Sequence, residues 1–191
     1  MPDHTSHTDE ELAGLSLENK RFFGELVTRY EKKLGAYVRR LGQLPQEDVQ
    51  DLLQNIFIKV YQNLNDFDQS LSFNSWIYRI AHNETMTFFR SRRVRPQGHQ
   101  APMTPEMLAN IASDLDVQQE SEVRHDEELV RQCIDELPAH YREIVVLKYF
   151  ENKRYDELSD ILRLPAGTVA TRLSRAKEQL KARLLAKGIG L

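Results

Sequence analysis

The 191-residue sequence has few cysteines, few helix-breaking residues and no long apolar run. It contains one cysteine, Cys133, which excludes an internal disulfide and a zinc site built from several cysteines. Glycine and proline number only 8 and 7, and this scarcity favours helices. The densest apolar run, residues 144–147, is too short to cross a bilayer, and the polar, acidic N-terminus is unlike a secretory signal. We therefore expect a cytoplasmic protein without direct membrane insertion.

Signatures of catalysis and of metal binding are also missing. The six histidines are scattered without the spacing of metal ligands. No paired carboxylates, nucleophile–base set or glycine-rich phosphate loop stands out. Cys133 falls within an apolar stripe, which is typical of a buried structural thiol. The sequence thus predicts a protein that is not an enzyme and that holds no metal or cofactor.

Charge is strongly segregated along the chain, although the formal net charge is only −3. Residues 163–191 carry seven basic residues against Glu178 alone, a balance of +6. Residues 96–128 carry eight acidic residues against Arg124 alone, a balance of −7. Asymmetry of this kind indicates a polyanionic partner for the basic segment.

Hydrophobic spacing predicts helices throughout, and no segment alternates as a strand would. The first half of the chain has a short helix near residues 9–15, followed by amphipathic segments at residues 21–41, 47–64 and 75–93. After an interruption, the spacing returns at residues 127–137, 138–150, 155–163 and 164–184. The fold prediction is therefore all-α, with two small helical domains.

The segment between these domains has the composition of a flexible acidic linker. It is rich in proline and acidic residues and poor in large apolar ones. Within it, Met107, Leu108 and Ile111 are spaced for a short turn of helix. The predicted division is an N-terminal tail, a first domain, a linker, a second domain and a C-terminal tail, at residues 1–8, 9–95, 96–127, 128–187 and 188–191.

The last two predicted helices are joined by a tight turn around "RLPAG", which is the plan of a helix-turn-helix. The second helix of that motif enters the major groove of DNA. In residues 164–184, the face opposite the apolar stripe carries cations and short hydroxyls. Arginine can bond a guanine edge bidentately, hydroxyls can reach bases, and flanking cations suit phosphates. The candidate DNA contacts on this face are Thr171, Arg172, Ser174, Arg175 and Lys181.

Longer stretches carry a family resemblance. Residues 137–180, from "LPAHYREIVVLKYF" to "RLSRAKEQL", resemble region 4 of bacterial extracytoplasmic-function (ECF) sigma factors, and residues 51–67 and 72–93 resemble region 2. The resemblance implies a dissociable subunit of RNA polymerase. Region 2 would dock on the clamp of the core enzyme and open the promoter's −10 element, and region 4 would sit on the flap and read the −35 element. It also implies an anti-sigma factor that holds the protein inactive.

The resemblance assigns residues to these tasks. Thr168, in the Gly-Thr-Val motif, joins the −35 contacts. For the −10 element, a strand is read by unstacking a base against apolar walls with amides nearby, and arginines hold phosphates. The candidates are Asn63, Phe67, Asn83, Arg90, Arg92 and Arg93, whereas Phe73 and Trp76 are assigned mainly to the core. For core polymerase, the candidates are Asp51, Gln54, Asn55 and Ile58, a polar helix face with one apolar residue.

Two other functions remain open on the residues alone. A self-sufficient, dimeric helix-turn-helix regulator would bind its operator tightly without polymerase. A helical adaptor would bind another protein and have no role on DNA. The acidic linker adds a hypothesis, which is that it repels stray DNA and screens the basic helix in the free protein.

Overall fold

The computed structural model describes residues 7–42, 44–92, 104–115 and 127–188, and every regular element in these ranges is helical. The all-α prediction is therefore confirmed for the described part of the chain. The chain divides into two compact units. The helices of residues 9–92 make up most of the N-terminal unit, and those of residues 105–186 make up most of the C-terminal unit.

In the described part of the N-terminal unit, residues 7–42 and 44–92, there are four helices and a 3₁₀ turn. They are α1 (Asp9–Glu18), α2 (Lys20–Leu41), α3 (Gln46–Gln62), the 3₁₀ turn Leu64–Asp66, and α4 (Phe73–Arg92). A capping box starts α1, because the Thr8 hydroxyl accepts from the Glu11 N–H at 3.2 Å and the Glu11 carboxylate accepts from the Thr8 N–H at 2.9 Å. The predicted helices of this half are thus present to within a few residues at each end.

The core of this unit follows the predicted stripes. Its fully buried side chains include Leu26, Tyr30, Leu34, Tyr37, Val38, Val49, Leu52, Ile56, Val60, Phe73 and Ile77. One expectation differs, since the spacing also places Phe22 and Phe23 on the buried stripe of α2, and both rings are only half-buried. The Phe22 ring packs against His7 at 6.0 Å between centroids, and the Phe23 ring packs against Tyr61 at 5.0 Å, so both lie at the margin of the core.

Helix α1 is tied to the rest of the unit by two acidic side chains. The Asp9 carboxylate accepts from Arg29 at 2.7 Å and from the Tyr30 hydroxyl at 2.6 Å. The Glu10 carboxylate accepts from the backbone N–H of Phe73 at 2.9 Å and so satisfies an orphan donor in the first turn of α4. The Asp9 bonds thus join α1 to α2, and the Glu10 bond holds the end of the loop that leads from α3 to α4.

Within residues 104–115 and 127–188, the C-terminal unit has five helices. They are α5 (Pro105–Asp114), α6 (Glu127–Asp135), α7 (Ala139–Val145), which continues as a π-helical turn Val146–Phe150, α8 (Tyr155–Leu162) and α9 (Ala166–Ala186). The core includes Val130, Cys133, Ile134, Ile144, Leu147, Leu158, Val169, Leu173 and Leu180. The predicted burial of Cys133 is confirmed.

Helix α5 lies within the predicted linker, where a short turn of helix was expected. The sequence predicts a flexible segment with a short turn of helix, and the structure has a ten-residue helix there. The Thr104 hydroxyl accepts from the Met107 N–H at 3.3 Å, Pro105 fits the first turn, and Leu108, Ile111 and Ala112 are at most 2% exposed. The low average hydropathy of the whole segment did not indicate that residues 105–114 form a capped helix with one apolar face. The rest of the predicted linker, residues 96–103 and 116–126, lies outside the described residues, as do residues 1–6 and 189–191 of the predicted tails.

Arg142 connects α6 to α7 from inside the C-terminal unit. It is 4% exposed and donates to the backbone carbonyls of Ile134, Asp135 and Leu137 where α6 ends. A buried guanidinium needs such acceptors, and terminal helix carbonyls need such donors. This side chain therefore holds the C-terminal end of α6 against α7.

Candidate functional site

The outer face of α9 carries the predicted DNA contacts. Val169, Leu173 and Ala176 are buried beneath the helix, and the opposite side is exposed to solvent. Thr168, Thr171, Ser174 and Arg175 are exposed, whereas Arg172 and Lys181 lie half-buried at the two edges of the face. The structure thus brings all six predicted residues to one side of one helix.

The turn before α9 sets the angle of this helix. Arg163 follows α8 in the left-handed region with a φ of 52°, which lets the Leu164 N–H reach the Ser159 carbonyl at 3.1 Å. Pro165 then precedes α9, and its carbonyl accepts from the Thr168 N–H at 2.8 Å. The predicted helix–tight turn–helix geometry is therefore present.

A shallow hollow of about 440 Å³ borders the N-terminal half of the recognition face. Five α9 residues line it together with His140 and Tyr141 of α7. Partial burial and the nearby Arg172 lower the pKa of His140 below its ordinary value. Sequence analysis missed His140, whose place beside the recognition helix depends on how α7 packs against α9.

Glu143 lies beneath the same edge of the recognition helix. Burial raises its pKa from the usual 4.5 to about 7, although the charges of Arg172 and Arg142 act in the opposite direction. The protonation state of this carboxyl therefore changes near neutral pH, next to a predicted phosphate contact.

The predicted polymerase-binding face of α3 is exposed. Asp51, Gln54 and Asn55 are accessible, and Ile58 is 46% exposed. Alongside these residues, an open groove of about 700 Å³ runs between α2 and α3. Its apolar lining includes Phe23, Val27, Leu53, Phe57, Ile58 and Tyr61.

Sequence analysis missed the contribution of α2 to this groove. The rings of Phe23 and Tyr61 pack edge to face, with centroids 5.0 Å apart, and form one wall. Leu53 and Phe57 of α3 also line the groove. The sequence signal is the apolar spacing of both helices, which predicts their apolar stripes but not which residues of those stripes stay at the surface.

The predicted −10 residues lie at the loop between α3 and α4 and on α4. Asn63 is exposed, and its side-chain amide donates to the Lys59 carbonyl at 2.7 Å, which caps α3. Asn83 is exposed on α4. Phe67 is only 8% exposed, since its ring packs against Phe73 at 5.3 Å and Trp76 at 5.1 Å between centroids. In this conformation Phe67 belongs to an aromatic cluster and offers little surface for a base.

The predicted basic end of α4 is described only in part. Arg90 is exposed and donates to the Thr87 hydroxyl at 3.1 Å. Arg92 is the last residue of α4, and Arg93 lies outside the described residues. Among the residues that the structure describes, no cluster of three or more potential metal ligands occurs, and no helix is long and apolar enough to cross a membrane.

Comparison with known proteins gives one family match in each of the two units. Residues 26–95 match the family profile described as Sigma-70 region 2, and residues 127–180 match that described as Sigma-70, region 4. The ECF RNA polymerase sigma factor SigW of Bacillus subtilis is 31% identical over 169 residues, which cover 85% of this chain and 88% of that protein. The ECF RNA polymerase sigma-E factor of Escherichia coli is 29% identical, over 85% of this chain and 86% of that protein.

Two solved structures are similar in fold. One is CnrH in complex with the cytosolic domain of CnrY, with a TM-score of 0.66, 27% identity and coverage of 93% of this chain and 97% of CnrH. The other is the sigma factor RpoE in complex with the anti-sigma factor NepR from Bartonella quintana, with a TM-score of 0.61, 18% identity and coverage of 85% and 96%. Because the similarity to SigW spans most of both proteins at 31% identity, the chain belongs to the ECF RNA polymerase sigma factors.

Proposed function

We propose that the two units of this sigma factor divide promoter recognition between them and that the α2–α3 groove carries the chain onto core RNA polymerase. The observation that carries this proposal is the contrast between the faces: an exposed apolar groove in the N-terminal unit and a cationic helix face in the C-terminal unit. Asp51, Gln54, Asn55 and Ile58 form the polar and apolar contacts with the clamp. The cationic face of α9 would suit any DNA-binding protein. The α2–α3 groove adds the protein-binding surface that a polymerase subunit needs and that a self-sufficient regulator does not.

In the C-terminal unit, α9 enters the major groove of the −35 element. Arg175 and the hydroxyls of Thr171 and Ser174 face the bases, and Arg172 and Lys181 at the edges contact phosphates. Thr168 lies in the first turn, where helix N–H groups also favour a phosphate. The flap of the core enzyme holds this unit in place while it reads duplex DNA.

In the N-terminal unit, the surface near the α3–α4 loop holds the unstacked −10 strand. Asn63 and Asn83 offer amide groups to a base edge, while Arg90, Arg92 and Arg93 hold the phosphates of the opened strand. The buried position of Phe67 supports a role as the wall behind this surface, and direct stacking would require the ring to turn outward.

An anti-sigma factor is the natural competitor for the groove. An exposed apolar groove favours a bound protein partner. A protein that covers this groove would also prevent the groove from contacting the clamp. The structure of CnrH was solved in complex with the cytosolic domain of CnrY; its alignment covers 93% of this chain at 27% identity. We place this regulation, and the protein itself, in the cytoplasm, where core polymerase is found.

In vitro transcription tests the proposal. Purified core polymerase is incubated with a genomic promoter library, with and without this chain, and start sites are mapped. We expect a new set of start sites that share −35 and −10 elements and that require both proteins. A start-site map that the chain does not alter would contradict the proposal, as would tight, specific operator binding by the chain alone, which a self-sufficient regulator predicts.

A variant connects the result to the groove. Asp51→Ala combined with Gln54→Ala should weaken association with core polymerase and leave binding of the chain to duplex DNA unchanged. If the double variant binds core polymerase normally, the assignment of this face to the clamp is wrong.

A further inference from the structure

The recognition helix α9 has two exposed edges with different neighbours. The edge with Arg172 borders the hollow shared with α7. The other edge, which carries Ser174, Lys177 and Lys181, borders a second hollow of about 270 Å³. Asp114 and Leu115, at the C-terminal end of α5, lie on the far side of that hollow. A segment outside the family's region 4 match therefore reaches the DNA-facing helix of the same unit.

Asp114 places a negative charge directly against this edge. Its Oδ2 lies 3.5 Å from the Lys177 ammonium and accepts a hydrogen bond from the Tyr149 hydroxyl at 2.9 Å. Burial and the bond to Asp114 raise the pKa of Tyr149 well above its ordinary value, so the hydroxyl stays protonated and keeps donating. The carboxylate is thus oriented by a buried residue that lies outside the recognition helix.

Apolar packing, more than the ion pair, holds α5 in this position. Leu108, Ile111, Ala112 and Leu115 are at most 4% exposed. The side chains of Asp114 and Lys177 remain 43% and 29% exposed, and ion pairs at such positions contribute little to stability. Removing the charge of Asp114 should therefore change the electrostatics of the edge without releasing α5.

We propose that Lys177 is a further phosphate contact of the recognition helix and that Asp114 occupies it in the free chain. The proposal deepens the −35 role proposed above and rests on it. A carboxylate and a phosphate oxygen need the same ammonium donor, so DNA can use Lys177 fully only after Asp114 has moved. Helix α5 carries two acidic residues, Glu106 and Asp114, and no basic one, so its charge also repels an approaching duplex.

Binding of the full chain to a short mixed-sequence DNA duplex tests this inference, because phosphate contacts do not depend on sequence. Fluorescence anisotropy gives Kd at a series of salt concentrations for the wild type, Asp114→Asn and Glu106→Gln. Glu106 is the matched control, since it lies exposed on the same helix and its substitution changes the net charge equally. Circular dichroism verifies that each variant is folded.

We expect Asp114→Asn to tighten binding by about three- to tenfold and to steepen the slope of log Kd against log salt by about one unit. Glu106→Gln should change Kd by less than about twofold, since it acts only through screened, longer-range charge. Lys177→Gln should weaken the Asp114→Asn variant more than it weakens the wild type, which indicates that Asp114 and not the rest of α5 limits this contact.

The opposite results would overturn the inference. Equal effects of Asp114→Asn and Glu106→Gln would show that only net charge matters, and equal effects of Lys177→Gln in both backgrounds would show that Lys177 is already available to DNA. Failure of the proposed function looks different, because then no variant would bind the duplex at low salt and the wild type would not redirect core polymerase.

Discussion

The outer faces of the two units differ in a way that the cores beneath them do not. Both cores are packed from leucine, isoleucine, valine and aromatic residues on amphipathic helices. Outside, the N-terminal unit leaves Ile58 and Tyr61 in a groove of about 700 Å³, and the C-terminal unit leaves Arg175 and hydroxyls on α9. Apolar surface attracts protein and is insensitive to salt, whereas cations attract a polyanion and are screened by salt. What a helix bundle does not bury therefore identifies the kind of partner.

The largest expected effect tests whether the two units are stable independently. Arg142→Ala removes a buried donor from the carbonyls of Ile134, Asp135 and Leu137, although Ile134 still accepts from the Leu137 N–H at 3.1 Å. The C-terminal unit should therefore lose about 3 kcal/mol of unfolding free energy. Trp76 is the single tryptophan and lies in the N-terminal unit. In denaturant titrations, the circular dichroism transition should shift while the Trp76 fluorescence transition stays in place. Parallel shifts of both signals would contradict independent stability.

A charge in the apolar groove should affect one partner alone. Ile58→Asp places a carboxylate where the clamp would desolvate it, so we expect about a 30-fold loss in affinity for core polymerase, or roughly 2 kcal/mol. Leu17→Asp is the control, because Leu17 is 50% exposed on α1 and does not line the groove. Fluorescence competition for core polymerase measures both. A similar loss in the two variants would contradict a specific role for the groove.

The corresponding change on α9 should affect DNA alone. Arg175→Ala should cost about 1–3 kcal/mol at a −35 element if the guanidinium contacts a base edge. Glu178→Gln, on the same exposed side, is the control. Open-complex formation on promoters with intact and altered −35 elements separates the two possibilities: a uniform loss on both promoters would indicate a phosphate contact and contradict base readout.

The partly buried carboxyl of Glu143 predicts that the stability of the C-terminal unit depends on pH near neutrality. Its folded-state pKa of about 7 exceeds the usual 4.5, so its contribution to stability is fully present below pH 4.5 and is lost as the pH rises through 7. Glu143→Gln stays neutral and should be more stable than the wild type at pH 8 by about 1–2 kcal/mol, with no advantage at pH 4.5. Urea titrations across this pH range measure the difference. A constant difference at all pH values would contradict the assignment.

The smallest expected effect compares two glycines on helices. A Cβ at Gly24 in α2 would meet no atom within 4 Å, so Gly24→Ala should stabilise the N-terminal unit by about 0.5–1 kcal/mol through helix propensity. Gly167 in the first turn of α9 has equal space and serves as the comparison for the C-terminal unit. Trp76 fluorescence should report the first change and not the second. A loss of stability in Gly24→Ala would contradict the open space beside this position of α2.

Much of the fold could be predicted because helix signals are local. The apolar spacing of α2, α3 and α9 predicts which side of each helix is buried, and Pro165 predicts where α9 begins. Helix α5 was only partly predicted, since its signal is a threonine cap and four apolar residues within an acidic, proline-containing segment. Average composition suggests a linker there, and the individual positions indicate a helix.

The sites show the same limit. Thr171, Ser174 and Arg175 could be placed on one exposed face from helical periodicity alone, and the structure has them there. The burial of Phe67 depends on the rings of Phe73 and Trp76, which periodicity does not arrange around it. Similarly, no pattern within α3 indicates that Phe23 of α2 forms the other wall of the groove.

Local patterns in the sequence predict most of the helices, the core-facing side of α2, α3 and α9, and the concentration of positive charge on α9. Tertiary structure decided which surplus apolar residues meet in a groove, that His140 lies beside the recognition helix, and that Asp114 faces Lys177. The physical reason is range. Periodicity, capping and charge act over one or two helical turns, whereas these neighbours come from distant segments and meet only when the helices pack.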